Sequence, residues 1–249
     1  MVIIRSKKEI EKMRVASERA REMLLYLKSF VREGIKTIEL EMLCEEKLKA
    51  MRNTEPAFKG YYGYPYCLCI SINDEVVHGM PGERVIKESD IVSIDFGTLY
   101  DGYYGDTAVT YAVGAISKNT EKLLAVTESS LFQGIEKARE GNRLYDISYA
   151  VQTCVEEAGF SVVRDFVGHG IGRRLHEEPQ LPNYGEKGTG IRLKPGMVFA
   201  IEPMVNMGSS EVFVRENGWT AATKDGSLSA HFEHTVAITE NGPEILSKP

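Results

Sequence analysis

The sequence predicts an α+β fold built from two similar halves, each of which runs helix, helix and then antiparallel strands. In four segments, apolar residues recur every three or four positions, which is typical of amphipathic helices. The segments between them are rich in Tyr, Val, Ile and Gly and contain turn signals, which indicates strands. Because strands follow one another within each half and do not alternate with helices, the pattern favours α+β over a parallel α/β sheet.

The first half begins with two predicted helices. The first runs from Ser6 to about Glu33, ends at Gly34, and has an apolar face of Ile10, Met13, Ala16, Ala20, Met23, Leu24 and Leu27. The second starts at Thr37 as its N-cap and runs to about Met51. Residues 57–113 are then predicted to form consecutive strands, with turns at residues 73–74, 81–82 and 101–102.

The second half repeats this order. Helices are predicted from about Asn119 to Arg139 and from about Leu144 to Ala158, with a break at Gly141-Asn142 and β-type sequence afterwards. Residues 87–95 also align without gaps on residues 194–202. Since residues 113–117 are too short for a flexible tether, we expect one domain, residues 1–249, with halves at about 1–115 and 116–249.

The amino-acid composition excludes several classes of function. The chain has 249 residues, 43% of them hydrophobic, and a net charge of −6, so it lacks the basic excess of a nucleic-acid or anionic-membrane binder. No apolar run approaches the roughly 20 residues of a membrane span, and charges from Arg5 onward exclude a signal peptide. The four cysteines form no C-x-x-C pair. We therefore expect a cytoplasmic protein in a reducing compartment.

Four acids occupy related positions in the two halves. The aligned segments each end a predicted strand on an acid, Asp95 or Glu202, and a second acid, Asp106 or Glu233, leads a later strand in each half. Carboxylates buried on strands are costly unless they are paired or bind a metal. His169 lies between glycines in Gly-His-Gly-Ile-Gly, where close backbone approach is possible. Four carboxylates and one imidazole favour two divalent ions with bridging carboxylates over a structural zinc.

These residues lie in motifs that resemble the methionine aminopeptidase family, type I. The motifs are SIDFG, GYYGDTA, GHGIG, IEPM and FEHT, in that order, together with NDEVVHGMP around His78 and RRLHEEP around His176. The resemblance implies the pita-bread fold and a dinuclear site for Co, Mn, Fe, Zn or Ni. It also implies removal of the initiator methionine from nascent polypeptides, preferably before a small second residue, by attack of a metal-bridging hydroxide.

The resemblance also implies individual roles. Asp106 and Glu233 would bridge both ions, Asp95 would chelate one, and His169 with Glu202 would complete the other. Glu202 would also be the general base. His176 would donate to the carbonyl oxygen as it becomes anionic, and His78 would contact the peptide nitrogen and help to protonate the leaving amine.

The methionine pocket implied by the resemblance consists of Tyr61, Tyr64, Cys69, Met204 and Trp219. Leu175 departs from the aromatic residue often found before the HEEP histidine, and Phe58 also varies in kind. A monovalent-cation site would use Asn73, Glu75 and Ser229. The implied partners are N-terminal Met peptides, nascent polypeptides and the ribosome, and the expected state is a monomer.

Two alternatives stay open at this point. A related pita-bread Xaa-Pro aminopeptidase would share the metal ligands, although a large N-terminal domain before the first repeat is missing from the sequence. A non-catalytic member would bind peptides or protein partners. Among the other residues, His231 is interpreted as a loop residue, and Cys69 as a pocket-lining thiol because no activating His-Asn/Asp pair is evident. The glycine spacing around His169 does not fit dinucleotide binding.

Overall fold

The computed structural model describes residues 2–248 and contains four helices in this range. They are α1 (Lys7–Lys28), α2 (Thr37–Ala50), α3 (Lys118–Lys137) and α4 (Leu144–Glu157). A capping box starts α1: the Ser6 side chain accepts a bond from the Glu9 amide, while the Glu9 carboxylate accepts one from the Ser6 amide at 2.9 Å. No helix within residues 2–248 is long and apolar enough to cross a membrane.

A nine-stranded antiparallel sheet forms the centre of the molecule. Its strands are β1 (Thr54–Pro56), β2 (Cys69–Ile72), β4 (Ile91–Tyr100), β5 (Tyr103–Ala112), β7 (Gly168–Gly170), β8 (Glu177–Leu181), β9 (Val198–Ile201), β14 (Glu233–Thr239) and β15 (Gly242–Ile245). They follow the order β1-β4-β5-β14-β9-β7-β8, while β2 pairs with β4 and β15 with β14.

Two three-stranded sheets complete the β structure. Their strands are β3 (Glu75–Val77), β6 (Ser161–Val162), β10 (Met204–Asn206), β11 (Val212–Val214), β12 (Ala221–Thr223) and β13 (Ser229–His231). One sheet has the order β13-β10-β6 and the other β11-β12-β3. Together with the four helices, these sheets confirm the α+β prediction.

The two halves meet in the middle of the large sheet. In the first half β4 pairs with β5, and in the second β9 pairs with β14. The halves are joined where β5 pairs with β14, with Glu233 opposite Ala108 and His234 opposite Thr107. Residues that follow the same pattern in each half are therefore brought to one central region.

The helices lie against the sheet, and each half has its own apolar core. All seven apolar residues predicted for the inner face of α1 are buried, and four of them join α2 and β4 residues in one cluster. A second cluster joins α3 and α4 to β9 and β14. Gly105 has no room for a Cβ because the backbone of Ser17 lies against it, so α1 approaches β5 closely.

Three boundary predictions were wrong. The first helix ends at Lys28 and not near Glu33, because the chain then turns to bond with residues 82–86: the Gly34 amide donates to the Ile86 carbonyl at 2.9 Å. Thr37 is the first helical residue and not the N-cap, since its hydroxyl accepts from the Gly82 amide at 2.8 Å. Residues 57–68 form no strand but contain a 3₁₀ turn at Tyr61–Gly63.

Candidate metal centre

Asp95 and Asp106 lie inside two long paired strands. Asp95 lies opposite Ala108, and Asp106 lies opposite Gly97. A Cβ at position 97 would lie 3.1 Å from an Asp106 carboxylate oxygen and 2.8 Å from the Ala57 side chain, so glycine leaves space for this acid. The prediction that a strand ends at Asp95 was wrong, because β4 continues to Tyr100 and completes the hairpin with β5.

The second half adds Glu233 at the first position of β14. Cross-strand hydroxyl bonds hold this junction in register. Thr235 Oγ1 donates to the Asp106 carbonyl at 2.8 Å and accepts from the Asp106 amide at 2.9 Å, and Thr107 Oγ1 donates to the Glu233 carbonyl at 2.8 Å. Asp106 and Glu233 are therefore positioned by the same contact between the halves.

His169 and Glu202 complete the group. The His169 Nδ1 lies 2.9 Å from the Gly170 carbonyl. Since a carbonyl oxygen can only accept, Nδ1 carries the proton and Nε2 presents a lone pair, 3.5 Å from Glu202 Oε1. A Cβ at position 168 would collide with the Ala200 carbonyl, and one at position 170 with the Glu178 carbonyl. The flanking glycines thus allow the close backbone approach that the sequence predicted.

The donor set fits a divalent metal. Asp106, His169 and Glu233 each offer a ligand atom within 4.8 Å of the other two. Asp95 Oδ1 and Glu233 Oε1 are buried and have no hydrogen-bond partner within residues 2–248. Buried carboxylate oxygens without a donor carry a large desolvation cost that a cation offsets. Carboxylate and imidazole ligands suit Mn, Fe, Co or Zn.

Electrostatics supports the same interpretation. Burial, and then the charges of neighbouring acids, raise the pKa of Asp95, Glu202 and Glu233 well above the usual values. Burial raises the pKa of Asp106 to about 7. Burial also lowers the pKa of His169 to about 3, so its imidazole is neutral and able to ligate at neutral pH. Four acids that cannot all ionise together without a cation form a site prepared for positive charge.

A cavity of about 170 Å³ opens beside these acids. Four of the five predicted pocket residues line it, namely Tyr61, Tyr64, Cys69 and Trp219. The fifth, Met204, is fully buried and lines an adjoining cavity that also borders His78 and Glu202. Phe58 and Leu175 both line the first cavity, as does Tyr62, which was not among the predicted pocket residues.

Both accessory histidines face the cavity. His176 lies at its mouth, where its ring centroid is 4.3 Å from that of His169 and its Nδ1 is 2.9 Å from the Tyr61 hydroxyl. His78 has a left-handed backbone with φ 58° and packs edge-on against Phe166 with ring centroids 5.5 Å apart. Burial lowers the pKa of His78 to about 4 and also lowers the pKa of His176. Both rings are therefore neutral at pH 7.

The interpretation of His231 as a loop residue was wrong. It ends β13, is 1% exposed, and its Nε2 lies 3.7 Å from Glu202 Oε2. Its backbone amide donates to Thr110 Oγ1 at 2.9 Å, which ties it to β5. A signal was present, because His231 and Glu233 are two residues apart and positions two apart in an extended chain share a face.

The residues predicted for a monovalent cation lie close together. The Ser229 amide donates to the Asn73 carbonyl at 2.8 Å. The Glu75 carboxylate accepts from the Ile72 amide at 2.8 Å and pairs with Arg84 and Arg215 at 3.0 and 3.1 Å. Nothing in this geometry tests cation binding, so this site stays a prediction.

A second group of acid and thiol side chains, Glu41, Glu45 and Cys67, differs from the central one. The two Glu41 oxygens accept from the amides of Cys67 and Leu68 at 2.7 and 3.0 Å, and Glu45 pairs with Lys59. These bonds satisfy both acids, so this group needs no ion. Its visible role is to hold the chain that leads to Cys69 in the cavity wall.

Buried acids and a neutral imidazole beside an open cavity are the side chains of a hydrolytic metal site. The fold and the site together therefore place the protein among the metallohydrolases. A model described as metallopeptidase family M24 matches residues 11–240, and the chain belongs to this family. It is 54% identical over 247 residues to a methionine aminopeptidase of Clostridium perfringens, covering 99% of each chain.

Solved structures agree with this assignment. A methionine aminopeptidase of Thermotoga maritima matches with a TM-score of 0.98 and 50% identity, covering 100% of both chains. A prolidase of Pyrococcus horikoshii matches with a TM-score of 0.80 and 26% identity, covering 100% of this chain and 64% of that one. The pita-bread fold expected from the sequence is confirmed.

Proposed function

We propose that this protein is a metal-dependent aminopeptidase that removes the N-terminal methionine from polypeptides, preferably before a small second residue. The observation that carries the proposal is the cavity in which four ionisable acids and His169 adjoin an aromatic and sulfur-lined wall. The similarity to methionine aminopeptidases over almost the whole chain supports the same substrate.

The proposed metal ligands are Asp95, Asp106, His169, Glu202 and Glu233. These five residues would hold two divalent ions, with Asp95 serving one ion, His169 and Glu202 the other, and Asp106 and Glu233 both. When bound, divalent ions would polarise the scissile carbonyl and supply a nucleophilic water at neutral pH. Their charge would keep the four acids ionised despite burial.

Glu202 is the proposed general base. Its carboxylate lies between two neutral imidazoles, 3.5 Å from His169 and 3.7 Å from His231. In the metal-free chain, burial and the charge of Asp106 raise the pKa of Glu202 well above the usual value. Bound cations would favour its ionised form, which is the form that accepts a proton from water.

His176 is the proposed donor to the developing oxyanion. Because its ring is neutral, the hydroxyl of Tyr61 can donate to Nδ1, which leaves the proton on Nε2. That N–H is then free to donate to the carbonyl oxygen of the substrate as negative charge develops. His78, on the same cavity, is proposed to contact the peptide nitrogen and to assist departure of the amine.

The cavity wall suits a methionine side chain. Tyr61, Tyr64, Cys69 and Trp219 surround a mostly apolar space, and Tyr64 and Trp219 meet edge to face with centroids 5.1 Å apart. The Tyr64 hydroxyl does not project into the cavity as a free donor, because its single proton is shared between the carbonyls of Leu68 and Gly79, whose oxygens lie at 2.9 and 3.0 Å. A flexible thioether packs well against such aromatic faces.

The cellular setting follows from this substrate. Action on nascent chains favours the cytoplasm, with the ribosome as the place of encounter, and a monomer suffices because the described site uses a single chain. The monovalent-cation site and the presence of two divalent ions stay predictions as well.

The test measures release of free amino acid from peptides that begin Met-Ala, Met-Lys and Ala-Pro. Chelated protein is compared with protein to which Mn²⁺, Co²⁺ or Fe²⁺ has been restored. We expect metal-dependent cleavage of Met-Ala alone. Cleavage of Ala-Pro would instead indicate the Xaa-Pro specificity, and no cleavage with any metal would favour a peptide-binding protein.

A further inference from the structure

A buried ion pair joins the N-terminal segment to the turn that carries His176. The Arg5 guanidinium donates to Glu177 Oε2, and the two side chains are only 3% and 5% exposed. Arg5 itself is fixed from the other side, since its amide donates to the Gly196 carbonyl at 2.7 Å. A charged pair this deeply buried demands defined geometry, because Glu177 without Arg5 would be an uncompensated buried charge.

The second oxygen of Glu177 holds the turn. Glu177 Oε1 accepts from the amides of Arg173 and Arg174 at 2.9 and 3.1 Å. The guanidinium of Arg5 lies so close to Gly172 that a Cβ there would collide with it. The carbonyl of Gly172 in turn accepts from the Tyr104 amide at 2.8 Å, which joins the turn to β5. Arg5 and Glu177 thus determine the path of residues 172–177.

This turn directs two side chains into the cavity. Leu175 is buried in the cavity wall, Glu177 is buried against Arg5, and His176 between them is exposed at the cavity mouth. The Tyr61 hydroxyl is the only hydrogen-bond partner of the His176 ring found within the described residues. One such bond leaves the ring able to shift with its backbone, so the orientation of His176 depends on the path of the turn.

We propose that Arg5 is a positioning residue for His176, acting through Glu177 and the turn of residues 172–177. The inference rests on the role of His176 in the proposed function. Arg5 does not line the cavity that holds the proposed ligands. Its charge holds Glu177, Glu177 holds the turn, and the turn orients the imidazole. Arg5 also lies outside the segment matched by the family model, which starts at residue 11.

The experiment compares metal-loaded Arg5→Met and Arg5→Lys with the unsubstituted enzyme on a Met-Ala peptide. We expect Arg5→Met to lower kcat by about 10- to 100-fold with KM changed by less than about threefold, because a displaced donor weakens transition-state contacts. Arg5→Lys retains the charge and should recover most of kcat. Arg14→Met is the matched control: Arg14 pairs with Glu244 at 2.8 Å, away from the turn, and its loss should leave kcat unchanged.

A double-substitution cycle separates positioning from general loss of structure. In a His176→Ala background, Arg5→Met should have almost no further effect on kcat, because the group that it positions has gone. A similar fall of kcat in both backgrounds would overturn the proposal. So would an Arg5→Met enzyme with unchanged kcat. If Arg5→Met does not fold, the same cycle is run with Glu177→Gln, which keeps a carbonyl for the turn amides and removes the charge.

A spectroscopic readout makes the result independent of activity. The imidazole ¹⁵N shifts of His176, assigned with His176→Ala, are measured on the Zn²⁺-loaded protein. These chemical shifts should change in Arg5→Met and remain the same in Arg14→Met. Unchanged shifts in Arg5→Met would contradict the proposal. If the unsubstituted enzyme cleaved no Met peptide, the proposed function would fail, while these shifts would still decide whether Arg5 positions the ring.

Discussion

Two groups of acids in this molecule differ in how the cost of burying a carboxylate is offset. Glu41, 3% exposed, has each oxygen bonded to a backbone amide of the chain leading to Cys69. In the central group, Asp95 Oδ1 and Glu233 Oε1 are as deeply buried and accept no bond from residues 2–248. Glu41 is part of the scaffold, whereas the central acids, the proposed metal ligands, keep carboxylate oxygens without a donor from the described part of the chain.

The difference teaches how to separate structural from functional acids. Burial raises the pKa in both groups, so a raised pKa alone does not distinguish them. What distinguishes them is whether donors from the chain satisfy the carboxylate oxygens. A carboxylate whose oxygens are satisfied stabilises the fold, and one left without donors costs stability until an ion binds.

The largest expected effect is on turnover. Glu202→Gln removes both a proposed ligand and the proposed base, so kcat should fall by about 10²- to 10⁴-fold while the fold is retained. Initial rates on a Met-Ala peptide and circular dichroism measure the two quantities. Glu45→Gln, at the satisfied group, is the control and should keep its rate. A near-normal rate for Glu202→Gln would contradict the proposed role of Glu202 as ligand and general base.

The next effect is on stability at the satisfied group. Glu41→Gln replaces one acceptor by an amide NH₂ group, which leaves a buried backbone N–H of Cys67 or Leu68 without a partner. The free energy of unfolding should fall by about 1–3 kcal/mol, measured by urea denaturation of the metal-loaded protein. Unchanged stability would mean that the two amide bonds contribute little, and the comparison between the groups would lose its basis.

A pH experiment tests the central group without substitutions. The pKa of Asp106 rises from its usual 3.8 to about 7 in the folded protein. Between these values the folded state binds a proton that the unfolded chain has released, so stability falls as pH rises from about 4 to about 7. The Tm of the metal-free protein should therefore fall by a few degrees more between about pH 5 and about pH 7.5 than that of the Mn²⁺-loaded protein, in which the cation keeps the acids ionised. The buried histidines, whose lowered pKa acts in the opposite direction, are common to both measurements.

Metal supplies the reference for this pH measurement. A bound divalent cation favours the ionised acids, so adding Mn²⁺ should raise Tm more at about pH 7.5 than at about pH 5. An equal increase at both values would show that the acids do not repel one another in the metal-free protein.

Much of the fold and of the candidate centre could be predicted because the signals are local. The inner face of α1 follows a three-to-four periodicity, and all seven predicted apolar residues are buried. The five candidate ligands lie in short motifs, and the pairing of β5 with β14 then brings the halves together. Local sequence patterns were therefore enough to predict the helix faces and the candidate ligands.

The wrong predictions concern segments whose conformation depends on contacts that the local sequence pattern does not reveal. Residues 57–68 have a strand-like Tyr content, yet Gly60, Tyr62 and Gly63 adopt positive φ angles that a strand does not allow. The end of α1 depends on bonds to residues 82–86, which no local pattern reveals. His231 reaches Glu202 only because β13 packs beside β10 and β5.

The smallest expected effect has the opposite sign to that of Glu41→Gln and separates the two groups most sharply. Glu233→Gln removes an acid whose ionisation is opposed by burial and by its three neighbours, so at about pH 7.5 the metal-free protein should become more stable by about 1 kcal/mol, or a few degrees in Tm. Metal should then raise Tm less than in the unsubstituted protein, because a proposed ligand is lost. Paired thermal unfolding with and without Mn²⁺ measures both changes. If the metal-free Glu233→Gln protein were destabilised as Glu41→Gln is expected to be, Glu233 would belong with the satisfied acids, since only a carboxylate that the fold itself needs would behave in that way.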